Sequence, residues 1–375
     1  MSDEDVPTTK NARIYAWLRE EFDAERIAVG ARLPSENELC ERFGASRPAA
    51  RQALARLAHE GLVRTVRGSG SFRAPPPRST SRDAALVLPA LSTYIYPELV
   101  EAASSAFRSL GFQTLIDCTS SDMATERRVL ESLRARRPAC AAVSPLQGLF
   151  PGEEGAESQA TSLELLKDLR AAGTEVLLLD NELGSGLFSS IVLDDRLGGE
   201  RAVERLWSLG HRDIAVVRWR GHAPFGARRE GALAALASLG AAAGPEADLD
   251  AGSVYAGREE RRAALRAALD ARAALGDLPT AYFCSNDELA FLAAELLSER
   301  GLRAGEDFSL IGFDDSPLAR TAGLTTFAYP SRWIGERAAG LLAEAVGAGR
   351  PRSRVRVSLE PELVERSSVR DLRIR

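Results

Sequence analysis

The sequence predicts an α/β protein in two unequal parts: a small N-terminal α+β unit, and a large two-lobed domain of parallel sheets. Three observations carry that prediction. The stretch APPPRSTSR, residues 74–82, holds consecutive prolines that can neither extend a helix nor donate to a sheet, followed by a linker-like Ser/Thr run. Upstream of it, short helical periodicities end in a glycine-bearing hairpin pattern. Downstream, short apolar strands alternate with Ala/Leu/Glu/Arg-rich helices, as in a parallel sheet covered by helices. The boundaries fall at 1–75 for the small unit, 76–82 for the linker and 83–375 for the large domain.

Taken in order, Ile14, Trp17, Leu18 and Phe22 recur at helical spacing and define a first amphipathic helix. In PSENEL, Ser35 can cap a second helix while Glu38, three residues on, reaches back in a capping box. That helix carries Leu39 and Phe43 and stops at Gly44. Ser46 can cap a third, running to about His59 and ended by Gly61; Pro48 is tolerated in its first turn. LVRTVRGSGSFRA then reads as a β-hairpin. Helix–turn–helix followed by a hairpin is the winged helix-turn-helix plan.

Charge supports a nucleic-acid partner for this unit. The whole chain is acidic, with a formal net charge of −5, yet residues 42–78 hold eight arginines against one acid, Glu60. Such local asymmetry is the footprint of phosphate binding. On the third helix Ala50, Ala53, Leu54 and Leu57 form the core face, whereas Arg47 and Arg51 sit four apart on another face near the N-terminal end. Recognition helices present that end to base edges. GSGSF lacks both the third glycine of a dinucleotide motif and the Lys-Ser/Thr of a phosphate loop. It reads as a wing turn that meets the DNA backbone through Gly68 and Ser69.

In the large domain the strands are expected at 84–88, 113–116, 140–143, 175–180, 213–217, 280–284 and 308–313, with helices such as 97–110, 196–209 and 286–300 between them. Ligands of such folds bind outside the strands' C-terminal ends. Those ends carry Tyr94 and Tyr96, Asp180 and Asn181, Phe225 and Arg228, Asn286 and Asp287, and Asp314 and Asp315. Carboxylates that accept hydroxyl protons, an arginine that donates and aromatic faces that cover C–H surfaces suit a polyhydroxylated ligand. Asp287 could equally cap its helix, and the tyrosines could equally be packing. Asp314 is expected to grip the ligand, and Asp315 to cap the following turn or brace the cleft.

Other classes find little support. No apolar run approaches the roughly 20 residues of a membrane span. The acidic start MSDEDVPTTK is unlike a signal peptide, so a cytoplasmic protein with no membrane partner is expected. Cys40, Cys118, Cys140 and Cys284 are scattered and read as thiols, and His59, His211 and His222 lack metal-ligand spacing, so neither metal nor cofactor is expected. A Schiff-base enzyme would need a lysine at a strand exit. Beyond Lys10 the one lysine is Lys167, in the helical SLELLKDLRAAG. A glycosidase would need two carboxyls facing each other across the ligand, and sequence neighbours such as Asp314 and Asp315 usually diverge. No enzyme is expected.

LPSENEL with RFGASRPAARQALARLAHEGLVRTVRGSGSF resembles the GntR family of bacterial transcription regulators over residues 10–73. The resemblance implies base and phosphate contacts from Asn37, Ser46, Arg47, Arg51 and Gly68, while Ala49 stands where a hydroxyl-bearing residue is usual. VLDDRLGGERAVERLWSLGHRDIAVV, RREGALAALASLG, TAYFCSNDELA, SLIGFDDSPLA, LTTFAYPSRWIGERAAGLL and LEPELVERSS resemble the LacI/GalR effector-binding module over residues 83–368, which is similar to periplasmic sugar-binding proteins. This resemblance implies effector contacts at Asp180, Arg228, Asn286 and Asp314, with Tyr329 lining the cleft; Tyr329 and Ser331 occupy positions where family members vary with ligand, so the resemblance does not carry the ligand's identity. It implies a homodimer whose lobes, 83–191 plus 330–348 and 192–328 plus 354–375, close over a ligand.

The pairing of head and sensor is similar to arabinose-responsive repressors of the AraR type. It implies a repressor of pseudo-palindromic double-stranded operator DNA, controlled by a small-molecule effector, a monosaccharide and in the first place a pentose. A purine or phosphosugar effector is the alternative. Where LacI-type proteins carry a hinge helix, a proline linker stands here, so effector and head must be coupled by another path.

Overall fold

Apolar spacing in the small unit folds as its pattern dictates. The computed structural model describes residues 9–374 apart from 25, 67, 75–78, 92–94, 147–155, 185, 242, 245, 277 and 349–353. Helices α1 (Lys10–Asp23), α2 (Glu36–Phe43) and α3 (Arg47–His59) precede the antiparallel hairpin β1 (Val63–Val66) and β2 (Gly70–Arg73). Ile14, Leu18 and Phe22 meet Leu39, Ala50, Leu54, Leu57 and Val63 in one core. The capping box is formed: the Ser35 hydroxyl accepts from the Glu38 amide at 3.3 Å, and the Glu38 carboxylate accepts from the Ser35 amide at 2.6 Å. Ser46 departs from expectation. It stands at the N-cap of α3 with extended backbone, but its hydroxyl makes no capping bond, so Pro48 in the first turn sets the start of the helix.

The large domain contains two parallel sheets. The first lobe runs β3 (Asp83–Leu88), α4 (Ile95–Ser109), β4 (Gln113–Cys118), α5 (Met123–Arg136), β5 (Cys140–Val143), α6 (Ala156–Ala171), β6 (Glu175–Leu179) and β7 (Ser189–Leu193). The second runs α7 (Asp195–Ser208), β8 (Ile214–Arg220), α8 (Ala223–Ser238), β9 (Asp248–Ser253), α9 (Arg258–Ala273), β10 (Ala281–Cys284), α10 (Asp287–Ser298), β11 (Ser309–Asp314), α11 (Pro317–Ala322) and β12 (Thr325–Ala328). The chain then returns through α12 (Ser331–Ala348), which packs on α4 of the first lobe, and ends with β13 (Arg356–Leu359) and β14 (Glu362–Val364).

Strand order is β13-β7-β6-β5-β3-β4 in one sheet and β14-β12-β11-β10-β8-β9 in the other, parallel throughout except β14. Every residue from Ala84 to Leu88 is fully buried, as a central parallel strand with helices on both faces requires. In each sheet the order reverses beside its first strand, between β3 and β5 and between β8 and β10. Such switch points open crevices at the strands' carboxyl ends, and these two crevices face one another.

One boundary needs correction. The C-terminal segment does not belong wholly to the second lobe, because β13 pairs in parallel with β7 of the first and only β14 onward joins the second. The chain therefore crosses between lobes three times, after β7, after β12 and between β13 and β14. Helices α7 and α8 touch backbone to backbone: a Cβ on Gly199 would lie 1.8 Å from the Arg228 carbonyl oxygen, and one on Gly231 1.9 Å from that of Arg196.

Candidate operator face and effector cleft

On the small unit, Asn37, Ser46, Arg47, Arg51, Gly68 and Ser69 are all exposed. The wing turn is closed by the Ser69 amide donating to the Val66 carbonyl at 2.9 Å, and Gly68, at φ +78°, takes a conformation open to glycine without cost. Arg51 is engaged with Glu36 through Nε at 3.1 Å and Nη2 at 3.0 Å, so a phosphate would have to exchange with that carboxylate. An exposed pair contributes little, so the exchange is cheap.

Between the lobes lies a cavity of about 120 Å³. From the first lobe Pro89, Tyr96, Leu146 and Asp180 line it; from the second, Trp219, His222, Phe225, Arg228, Asn286, Glu288 and Asp314 do so, with Tyr329 and Asp195 at the crossings. Of the expected effector residues, Tyr96, Asp180, Phe225, Arg228, Asn286, Asp314 and Tyr329 are thus brought together. Tyr94 lies outside the described residues.

Arg228 organises the second-lobe wall. It is buried, donates from Nε to Asp195 at 2.7 Å and from Nη1 to the Ser285 carbonyl at 2.6 Å, and approaches Asp314 at 3.5 Å. Its guanidinium lies 3.5 Å from the centre of the Phe313 ring, a cation–π contact that keeps the plane fixed. Burial pushes the Asp195 carboxyl up to about 6 despite the cation beside it. Burial, reinforced by Arg228, pushes His222 down to about 4, so the imidazole is neutral.

Asp180 anchors the first-lobe wall. It accepts from the hydroxyls of Tyr329, of Ser144 at 2.7 Å and of Tyr96 at 3.4 Å. Burial raises its carboxyl above the ordinary aspartate range, opposed by those three donors, and holds both tyrosines well above theirs as neutral donors. Asp180 and Asp314 both have positive φ, +63° and +109°, which turns each carboxylate out of its strand toward the crevice. Aspartate tolerates the left-handed region better than most residues, but +109° lies beyond it and is strained.

One expectation fails on direction. Asp287 does not line the cavity: it is fully buried and accepts from Thr326 at 2.6 Å and the Ser316 amide at 2.7 Å, bracing β12 and the β11–α11 turn. Nor does it cap its helix, since Asn286 does, accepting from the Leu289 amide at 3.0 Å. Asp315, expected to cap the following turn or brace the cleft, does not line the cavity and pairs with Arg366 at 2.6 Å and Arg320 at 3.0 Å. It braces, but the turn is capped by Ser316.

Asp195, Trp219, His222 and Glu288 were not anticipated. Strand β7 went unread, so the acid after it did too, and β8 extends to Arg220, three residues beyond its expected end. Among the described residues no group of three or more His, Cys, Asp or Glu side chains could hold a metal ion, and no helix is long and apolar enough to cross a membrane.

A winged helix-turn-helix head joined to a two-lobed, doubly wound domain has the architecture of a DNA-binding regulator, and comparison with known proteins gives its family. Residues 10–72 match the bacterial regulatory proteins of the gntR family, and residues 203–369 match the periplasmic binding protein-like domain. The chain belongs to the bacterial transcription regulators that join a GntR-type DNA-binding head to a periplasmic-binding-protein-like domain. An arabinose metabolism transcriptional repressor of Geobacillus stearothermophilus is 27% identical to it over 357 residues, covering 91% of this chain and 92% of that protein. The transcriptional regulator DegA of Bacillus subtilis is 30% identical over 295 residues, 77% of this chain and 81% of its own length. A solved structure of the transcriptional regulator CelR with cellobiose shares the fold at a TM-score of 0.66 and 24% identity, covering 86% of this chain and 90% of that one.

Proposed function

We propose that this protein is a homodimeric repressor of pseudo-palindromic operator DNA, and that a neutral monosaccharide held between its lobes controls operator affinity. The observation that carries the reading is the chemistry of the cleft. Among the described lining residues four carboxylates, Asp180, Asp195, Glu288 and Asp314, accompany one arginine, Arg228. Excess negative charge in a buried site repels phosphate and carboxylate groups and accepts hydroxyl protons. Aromatic Phe225, Tyr96 and Tyr329 supply apolar faces for C–H surfaces.

Size points the same way. The cavity, about 120 Å³, is small, which favours a ligand of monosaccharide size over a nucleotide. The arabinose repressor among the relatives favours a pentose. Ligand closure would shift the relative positions of the two heads, and so their fit to two half-sites.

A thermal-shift panel of pentoses, hexoses, phosphosugars and purines tests the effector, because a ligand that binds the native state raises its stability. A neutral pentose or hexose is expected to raise the melting temperature. A response to purines or phosphosugars alone would overturn the sugar reading. Salt-sensitive retention of a fragment from upstream of the protein's own gene tests the operator.

A further inference from the structure

We propose that the DNA-binding head is seated on the first lobe through an Asp168–Arg19–Glu60 contact, and that this seat replaces a hinge in tying the recognition helix to the effector cleft. The seat joins three elements that the sequence holds far apart. Arg19 of α1 divides its guanidinium: Nη2 donates to Asp168 Oδ1 of α6 at 3.0 Å, while Nη1 donates to the Tyr15 hydroxyl at 3.0 Å and lies 3.5 Å from Glu60. Glu60 is the residue that ends α3, and it also accepts from the Tyr15 hydroxyl at 2.8 Å and Arg56 Nε at 3.2 Å. Arg56 in turn lies over the Tyr15 ring at 3.9 Å. Asp168 is fixed from the lobe's side, because its other oxygen accepts from Arg134 of α5 at 2.9 Å. A continuous set of polar contacts therefore runs from the first lobe to the C-terminal end of the recognition helix.

The chain after the proline run is fastened at the same end of the lobe. Ser79 donates from its amide to the Gly173 carbonyl at 3.4 Å and from its hydroxyl to the Arg137 carbonyl, and Arg137 Nη2 donates to the Ala172 carbonyl at 2.8 Å. Residues 172–174 lead straight into β6, whose far end delivers Asp180 to the cleft. The head thus rests on the N-terminal edge of the sheet whose C-terminal edge holds the ligand wall, with a rigid strand between.

Energetics define what such a seat does. Arg19 and Asp168 are 15% and 32% exposed, so their pair is partly screened and contributes little to global stability. A fork that bonds two acids on different elements fixes an orientation instead. Arg19 and Asp168 are positioning residues for operator recognition. Their part is to hold α3, the helix assigned to base contact.

Double electron–electron resonance on the full chain tests the seat, with nitroxides on cysteines placed at exposed Ala55 of α3 and Ser132 of α5, and with Cys40 and Cys118 changed to serine. Labelled chains are diluted with unlabelled ones so that distances within one chain dominate. The expected result is one narrow distance distribution, lost in Arg19→Gln and equally in the isosteric Asp168→Asn, with no further broadening when both are combined. Thermal unfolding of these variants is expected to match the parent. A broad distribution in the parent, or a narrow one that survives both substitutions, overturns the proposal. Neither measurement needs effector or operator, so failure of the effector reading would leave this result standing.

Discussion

Replacing Arg228 by methionine keeps the length and apolar bulk of the side chain and removes its cation. Asp195 and Asp314, each 8% exposed, are left in the cleft wall without it. Deleting one partner of a buried ion pair costs about 3–5 kcal/mol. Loss of the guanidinium from the face of Phe313 adds about 0.5–2 kcal/mol. The deficit must also depend on pH, with a sign that follows from protonation. Asp195 already sits up at about 6, and losing Arg228 raises it further above the unfolded value of about 3.9. On acidification the folded variant therefore takes up its proton before the unfolded chain does, which stabilises the fold. The penalty relative to the parent is largest at about pH 8, shrinks as pH falls to about 6 and levels off below it, where Asp195 is protonated in both folded proteins. Urea denaturation of parent and variant, followed by tryptophan fluorescence at about pH 8 and about pH 5.5, measures it. A deficit below about 1 kcal/mol, or one indifferent to pH, would refute the view of Arg228 as the counter-ion of the wall.

Further substitutions separate the roles of neighbouring residues. Asp314→Asn is expected to abolish the sugar-induced rise in melting temperature while leaving DNA retention intact. Asp315→Asn is expected to do the reverse of a ligand defect: a stability loss of about 1–3 kcal/mol by denaturation, from the lost bonds to Arg366 and Arg320, with the sugar response preserved. Arg47→Ala is expected to weaken operator binding by about 1–3 kcal/mol in a gel-shift titration, without changing the melting temperature. Gly199→Ala forces α7 off the Arg228 carbonyl and is expected to cost about 1–3 kcal/mol or more by calorimetry.

The head was almost wholly legible, because its helices are amphipathic and carry their own start and stop residues. Ser35, Glu38 and Gly44 each do locally what their chemistry prescribes. Central strands of the large domain were equally plain, since a strand buried on both faces is a continuous apolar run. Edge and crossing strands were not. In β9, DLDAGS, alternate residues are buried, but its aspartates and glycine resemble a loop, and β13 and β14 owe their existence to partners far away in sequence.

The same limit governed the cleft. Asp314, Arg228 and Asn286 follow strands whose ends could be read, whereas Asp195 follows β7, which could not. Asp287 shows a different limit. Its residue type and place at a strand exit fitted a ligand contact, but side-chain direction is decided by Thr326 and the Ser316 amide, thirty-nine and twenty-nine positions away.

The central claim is that occupancy of the cleft controls the head. Fluorescence anisotropy of a labelled duplex from upstream of the protein's own gene, titrated with full-length protein in the absence and presence of a saturating neutral sugar from the thermal-shift panel, tests it most directly. The account predicts that the sugar changes DNA affinity by about tenfold or more, and that Arg228→Met removes the change. A sugar that saturates the cleft and leaves DNA affinity where it was would contradict it.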